Sequence, residues 1–186
     1  MMNKMNKKGF TLIELLAVIV IMGILMIIAI PLMTRYIENS RRDTFIQSGR
    51  TFINAARYQF LGGEMTCSGQ VGNWIIPISE IMIDGNDLIT NSGSDAGVRS
   101  SFGNNNRIQE GYVRIQTEND GTSTYYVGLR DNTTNRNGFP MTVEGRLDTT
   151  LRNTTFSNSL TTFARPAGLQ CCLAGRRVSG NNCVNE

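Results

Sequence analysis

Residues 7–33 read KKGFTLIELLAVIVIMGILMIIAIPLM, and this stretch determines how the whole chain is organised. Between residues 10 and 33 only Thr11 and Glu14 are polar. The uncharged part, residues 15–33, contains 19 residues, and a helix of about 20 apolar residues spans the hydrocarbon core of a bilayer. The sequence therefore predicts one membrane-spanning helix near the N-terminus.

Two other kinds of segment share a long apolar run. A cleaved secretory signal has an apolar region of about 7–15 residues followed by a small-residue cleavage site. The present run is longer, has no A-x-A sequence after it and carries Glu14 near its start. A plain signal anchor needs only the apolar run, and lysines before it and arginines after it leave the orientation open. The run therefore excludes a cleaved signal but not an anchor.

The helix is predicted to continue beyond the apolar run. No proline occurs between residues 34 and 61, and Gly62-Gly63 then provides a stop. Large apolar residues recur near multiples of 3.6 on one face, which is typical of an amphipathic helix: Ile37, Phe45, Ile46, Phe52, Ile53, Ala56 and Phe60. We predict one helix over residues 10–61, with its second half packed against another part of the chain.

Residues 63–186 show the alternation of strands rather than the period of helices. We predict strands at residues 112–118, 122–129 and 139–144, with turns at Asn119-Asp120-Gly121 and Asn137-Gly138. An apolar island at residues 74–83 fits a short helix or a strand, and residues 147–164 give no prediction. The expected fold is α+β, with one very long N-terminal helix packed on a small antiparallel sheet.

Composition argues against catalysis. The chain has no histidine, and its only lysines are Lys4, Lys7 and Lys8, so Ser-His-Asp, Cys-His and Ser-Lys mechanisms are excluded from residues 9–186. Removing the three lysines from 18 basic residues leaves 15 arginines against 15 acids. This neutral balance gives no electrostatic basis for nucleic-acid binding. We expect no enzyme activity and no cofactor.

The four cysteines, Cys67, Cys171, Cys172 and Cys183, all follow the apolar run. A bond between the adjacent cysteines is strained, so two pairings remain, each joining Cys183 to one of the vicinal cysteines and Cys67 to the other. Disulfides indicate an oxidising location outside the cytoplasm. No C-x₂-C spacing is present, and the acids around Gly85 lack the spacing of a calcium loop, so we expect no metal.

Two further surface features have ordinary explanations. Arg165, Arg176 and Arg177 are interpreted as residues of solvated loops rather than as a nucleic-acid site, because the rest of the chain is neutral. Asn132 and Asn153 begin glycosylation sequons, but such short patterns arise by chance in a Thr-rich chain. Neither feature predicts a function.

The sequence KKGFTLIELL at residues 7–16 closely resembles the processing site of type IV prepilins. The resemblance implies that a prepilin peptidase cleaves between Gly9 and Phe10 and methylates the new N-terminus at Phe10. It places Glu14 at the family's assembly glutamate, and Gly23 and Pro31 at positions of helix kinking. A C-terminal loop closed by Cys183 is similar to the disulfide-bounded region of many pilins.

The resemblance implies four segments: residues 1–9 as a cleaved leader, 10–33 as the transmembrane and filament-core half of the helix, 34–62 as its amphipathic half, and 63–186 as an extracytoplasmic head.

A carboxylate such as Glu14 costs about 2.5–3.5 kcal/mol in a bilayer core and needs a partner. Cleavage creates one, the α-amine of Phe10 in a neighbouring subunit.

The expected function is that of a structural subunit of a type IV pilus. Its expected partners are copies of itself or other pilins, the prepilin peptidase, a membrane assembly platform and, before assembly, the lipid bilayer. It would cross the cytoplasmic membrane once and later enter a cell-surface or periplasmic filament. Two alternatives remain: a pseudopilin of a type II secretion or competence DNA-uptake apparatus, and a signal-anchored extracytoplasmic enzyme or binding domain.

Overall fold

A computed structural model describes residues 9–67, 72–83, 86–87, 98–102, 107–131, 138–149, 169–179 and 182–185. The chain divides into two units, Met1–Ser40 and Arg41–Glu186. Helix α1, Leu12–Leu61, begins in the first unit and ends in the second, and a sheet completes the second unit. The predicted α+β fold with one very long helix is confirmed.

Helix α1 has 50 residues and ends at Leu61, immediately before the glycine pair that the sequence predicts as its stop. Gly63 adopts a left-handed φ of 71°, which a residue without a Cβ tolerates best. The Glu64 N–H donates to the Gln59 carbonyl at 3.1 Å, and the Gly63 N–H donates to the Phe60 carbonyl at 3.4 Å. These two bonds form a Schellman motif, which satisfies carbonyls at the helix end.

Eleven strands lie in the described residues. They are β1 Met65–Cys67, β2 Asn73–Pro77, β3 Met82–Ile83, β4 Asn86–Asp87, β5 Val98–Arg99, β6 Arg107–Thr117, β7 Ser123–Asp131, β8 Gly138–Val143, β9 Leu169–Leu173, β10 Arg176–Ser179 and β11 Asn182–Asn185. Short 3₁₀ helices occur at Ile78–Glu80 and Glu144–Arg146. The apolar island at residues 74–83 thus contains both strand and helix.

The main sheet has the order β1-β9-β2-β6-β7-β8, and β5 also pairs with β6. The three predicted strands lie in β6, β7 and β8, which form an antiparallel meander. One pair departs from the predicted antiparallel sheet, because β9 runs parallel to β2, with Trp74 opposite Leu169. This strand inserts between β1 and β2 from late in the chain, a long-range pairing that local alternation does not indicate.

The turn between β6 and β7 lies where the sequence predicts it. Gly121 has a φ of 85°, and the Gly121 N–H donates to the Glu118 carbonyl at 3.0 Å. The Thr122 hydroxyl and N–H both donate to the Asp120 carboxylate. These hydrogen bonds hold the pKa of Asp120 below its ordinary value. Asn137, Asn132 and Asn153, from the predicted second turn and the two sequons, lie outside the described residues.

The core of the second unit forms between α1 and the sheet. One helix face is buried, with Phe45, Phe52, Ile53 and Ala56 fully enclosed, and these side chains join a cluster that includes Val113, Ile115 and Val127 of β6 and β7. Such burial stabilises a fold by about 1.5–3 kcal/mol per large side chain. The amphipathic period thus predicted the packed face correctly over these residues.

The apolar face of α1 is shorter than the spacing suggests, and its packing is close. Ile37 belongs to the predicted stripe but is 47% exposed. The period predicts which face of the helix is buried, but it does not indicate where the packed partner ends.

A Cβ at Gly49 would lie 3.2 Å from the Phe139 ring and 3.4 Å from Leu147. The helix approaches the sheet closely at this glycine, and a larger residue would require a shift.

Candidate functional site

The start of α1 is fixed by Thr11 and Glu14. The Thr11 N–H and hydroxyl both donate to Glu14 Oε2 at 3.0 Å, and the Glu14 N–H donates back to the Thr11 hydroxyl oxygen at 3.3 Å. This reciprocal arrangement is a capping box, which satisfies two amides that a helix start leaves without partners. The capping box explains why the helix begins at Leu12. The start predicted from the sequence was Phe10, two residues earlier.

The capping box gives Glu14 a partner within its own chain. An ionised carboxylate accepts hydrogen bonds but donates none, and Thr11 supplies two of them. Thr11 was not among the predicted site residues, although the spacing T-x-x-E before an apolar run is a recognised signal for a helix start. The local sequence therefore contained this information.

The predicted cleavage site lies immediately before the helix. Gly9 and Phe10 are exposed and have no regular secondary structure, and the helix starts two residues later. A peptide bond within a helix is held by its hydrogen bonds, whereas an exposed bond before the first turn is open to a peptidase. The position of the bond between Gly9 and Phe10 is compatible with the predicted cleavage.

The surface of α1 after the capping box is apolar on every side. From Leu15 to Met33 every large apolar side chain is at least half exposed, and no charged residue interrupts this run. By length and composition α1 is the one helix in the described part of the chain that is apolar enough to cross a membrane. A helix with an apolar surface all round requires lipid or other helices around it.

Gly23 and Pro31 both lie inside this continuous helix. Proline has no backbone N–H and so removes one helical hydrogen bond, while the nearby Thr34 hydroxyl donates to the Ile30 carbonyl at 3.1 Å. A Cβ on Gly23 would contact nothing within 4 Å. Gly23 is thus not required by packing within this chain, and the kinking role of the two residues stays a prediction.

The cysteines form one of the two pairings that the sequence left open. Cys67 of β1 bonds to Cys171 of β9, and Cys172 bonds to Cys183 of β11. The first bond joins residues that lie opposite each other in the β1–β9 ladder. The second closes a C-terminal loop with a sequence separation of 11. The strand register selects this pairing, and the register could not be read from the cysteine spacing.

Arg176 is not the solvated loop residue that the sequence suggested. Its guanidinium donates to Glu80 Oε1 at 2.6 Å and to Asn185 Oδ1 at 3.1 Å. Glu80 is only 2% exposed and also accepts the Leu173 N–H at 3.1 Å. A buried carboxylate needs such partners, so Arg176 anchors the C-terminal hairpin, formed by the antiparallel strands β10 and β11, to the 3₁₀ helix after β2.

Arg177 is exposed, as expected, and Arg165 lies outside the described residues. The interpretation of these arginines as residues of solvated loops therefore fails at Arg176 and stays a prediction at Arg165. Arg177 lies on strand β10 rather than in a loop. No local pattern indicates the pairing of Arg176 with Glu80, because 96 residues separate the two.

One group of side chains in the described residues has the spacing of a metal site. Ligand atoms of Glu80, Cys172 and Cys183 lie within 4.8 Å of one another. Both sulfurs, however, belong to the same disulfide, and a metal binds the thiolate form of cysteine. The segment around Gly85, for which the sequence predicts no calcium loop, carries Asp84, Asn86 and Asp87. Asn86 and Asp87 form β4, while Asp84 lies outside the described residues. The oxidised chain therefore offers no thiolate at this group.

The comparison with protein families identifies the N-terminal segment. Residues 4–30 match the family described as the Prokaryotic N-terminal methylation motif. The match includes the predicted cleavage site, the capping box and most of the apolar half of α1. Comparison with curated proteins gives no match, and comparison with solved structures gives none either.

Proposed function

We propose that the chain is a prepilin-type precursor that matures into a structural subunit of a type IV pilus, because residues 4–30 match the Prokaryotic N-terminal methylation motif, the prepilin-type processing signal. The observation that carries the proposal is the order of features at the N-terminus. An exposed Gly9–Phe10 bond is followed by the Thr11–Glu14 capping box and then by a helix with an apolar surface on every side.

Cleavage after Gly9 would change both the charge and the chemistry of this segment. It removes Lys4, Lys7 and Lys8, which favour a cytoplasmic location for the N-terminus. It also creates an α-amine at Phe10, next to Thr11 and one helical turn from Glu14. The trimmed helix is then free to leave the bilayer and to pack among other such helices.

The carboxylate of Glu14 acts as the register element in this proposal. In the stored precursor it is satisfied by Thr11 within the chain. In a bundle of processed helices it pairs with the Phe10 amine of the next subunit, because a charge-assisted bond in an apolar environment is stronger than one between neutral groups. Each subunit would thereby fix the axial position of its neighbour.

The second unit supports a location outside the cytoplasm. Two disulfides join β1 to β9 and β9 to β11, and disulfides persist in oxidising compartments. The closed C-terminal loop favours a pilin over a pseudopilin, by its similarity to the disulfide-bounded region of pilins. In this proposal the chain performs no chemistry, and its activity is assembly.

The substitution Glu14→Gln tests the proposal. Glutamine keeps the side-chain size and can still accept the Thr11 N–H, but it has no charge to pair with the Phe10 amine. We expect normal cleavage after Gly9 and at least a tenfold loss of surface filaments, measured by shearing, gel quantification and electron microscopy. A tenfold change corresponds to about 1.4 kcal/mol, which is less than the about 2.5–3.5 kcal/mol that a charged side chain costs at the centre of a membrane helix.

Glu118→Gln is the matched control, because it makes the same chemical change at an exposed hairpin residue. It should leave the filament yield unchanged. Normal filaments from the Glu14→Gln chain would contradict the assembly role and favour a plain membrane anchor.

A further inference from the structure

The described residues outside the apolar run leave few large apolar side chains exposed. There are four of them, and they form two pairs: Tyr36 and Ile37 just after the apolar run, and Tyr58 and Leu61 near the end of α1. Isolated exposed apolar residues are ordinary, but paired ones next to a groove indicate an interaction surface. The two pairs differ in their surroundings.

Tyr58 of the second pair lines a groove of about 800 Å³ in the second unit. Its walls come from α1, β3 and the end of β9, and they include Ala55, Tyr58, Met82, Ile83 and Leu173. The carboxylate of Glu64 also lines the groove, and it forms no ion pair within the described residues. The groove is therefore mainly apolar, with the polar side chains of Thr51 and Asn54 and one acidic side chain, Glu64, in its lining.

The groove also contains an unsatisfied polar group. Gln59 is among its lining residues and is only 5% exposed. Its Oε1 accepts the Met82 N–H at 3.1 Å, but its amide nitrogen has no acceptor among the described residues. This amide nitrogen is enclosed by the protein, so the groove presents mainly its apolar walls and the Glu64 carboxylate to an occupant.

Residues 35–37 have the complementary chemistry. Tyr36 and Ile37 supply exposed apolar surface, and the Tyr36 hydroxyl can both donate and accept a hydrogen bond. Arg35 precedes them, and no ion pair of Arg35 occurs within the described residues. An arginine beside an aromatic and an aliphatic residue matches an apolar groove that carries Glu64.

We propose that the groove beside Tyr58 binds residues 35–37 of a second copy of this chain. The inference rests on the proposed function and adds a contact between subunits to it. The two surfaces are different, so the contact is heterologous, and a heterologous contact that does not close into a ring generates an open helical filament. Tyr36 and Ile37 fill the groove, and Arg35 pairs with Glu64.

Photo-crosslinking within filaments tests this contact directly. The full chain carries the substitution Tyr58→p-benzoylphenylalanine and is co-assembled with a ¹⁵N-labelled chain that lacks the photoreactive residue. After irradiation, reduction and trypsin digestion, residue 58 should be joined to the ¹⁵N-labelled peptide of residues 36–41. The label shows that the peptide comes from a second copy.

Arg177→p-benzoylphenylalanine is the matched control, because Arg177 is exposed on β10 and does not line the groove. It should not crosslink to residues 36–41. Filaments of subunits that begin at Phe10, in which position 58 crosslinks to another peptide, to lipid or to nothing, would overturn the inference and leave the proposed function intact. Failure to form filaments or to be processed at Phe10 would instead contradict the proposed function.

A charge reversal provides a second test that does not depend on crosslinking. Arg35→Glu and Glu64→Arg should each lower the filament yield several-fold, because each places like charges together. The chain with both substitutions should recover most of the yield, since the pair is restored in reverse. Equal losses in the single and double variants would overturn the pairing.

Discussion

The two halves of α1 contain similar side chains in opposite environments. In the first half Leu12 and Ile27 are 83% and 75% exposed, whereas in the second half Phe45 and Phe52 are completely buried. Apolar residues occupy every face of the first half but only one face of the second. The second half has its partner in the sheet of the same chain, and the first half requires lipid or other helices around it.

In the proposed function, this difference separates folding from assembly along one helix. Substitutions in the second half should change the stability of the second unit, Arg41–Glu186, which is called the head below. Substitutions in the first half should change insertion, processing or assembly. The chain contains one tryptophan, Trp74, whose ring centroid lies 4.9 Å from that of Phe60. Its fluorescence therefore reports unfolding of the head selectively.

The largest expected effect comes from Phe52→Ala. Removing this buried ring should lower the unfolding free energy of the head by about 3–5 kcal/mol, measured by Trp74 fluorescence during urea unfolding in detergent micelles. Ile24→Ala is the matched control, because it also shortens an apolar side chain of α1 but in the exposed half. An equal loss in both variants would show that the two halves do not differ as described.

A smaller effect is expected from the double variant Cys172→Ala, Cys183→Ala. The disulfide spans 11 residues of sequence, and closing a loop of this size stabilises a fold by about 3 kcal/mol in the chain-entropy account. Trp74 fluorescence should show a loss of this size, while cleavage and membrane insertion remain normal. Defective insertion with unchanged head stability would contradict the division of roles along α1.

The smallest effect is expected at the helix start. Thr11→Ala removes the hydroxyl of the capping box and should cost about 1 kcal/mol. This raises the exchange rate of the first-turn amides about fivefold, measured by hydrogen exchange of the uncleaved chain in micelles. Thr11→Ser keeps the hydroxyl and should exchange at the original rate. If both variants exchange alike, the hydrogen bonds to Glu14 do not determine where α1 begins.

The parts of the fold that sequence predicts well are those that depend on neighbouring residues. The helix follows from the apolar run, the 3.6-residue period and the stop at Gly62-Gly63, and the β6–β7 hairpin follows from alternation around Asn119-Asp120-Gly121. Thr11 belongs to the same class, since the T-x-x-E spacing before an apolar run marks a helix start. These signals can be read from neighbouring residues alone, without knowing which distant residues they contact.

The remaining features depend on contacts between distant residues. The insertion of β9 between β1 and β2 determines which cysteines meet, so the choice between two disulfide pairings required the strand register. The pairing of Arg176 with buried Glu80 likewise arises only when the C-terminal hairpin reaches the 3₁₀ helix. Ile37 shows the opposite case. The local period predicts a buried residue there, but the surface that packs on α1 ends before this position.

Mass spectrometry of the N-terminus of the mature protein tests the central claim most directly. The chain is isolated from membranes and from sheared surface material of cells with an active prepilin peptidase. The account predicts a terminal peptide that begins at Phe10 and carries one methyl group. A chain that keeps Met1 or Met2 at its N-terminus in both fractions would contradict processing, and with it the assignment as a filament subunit.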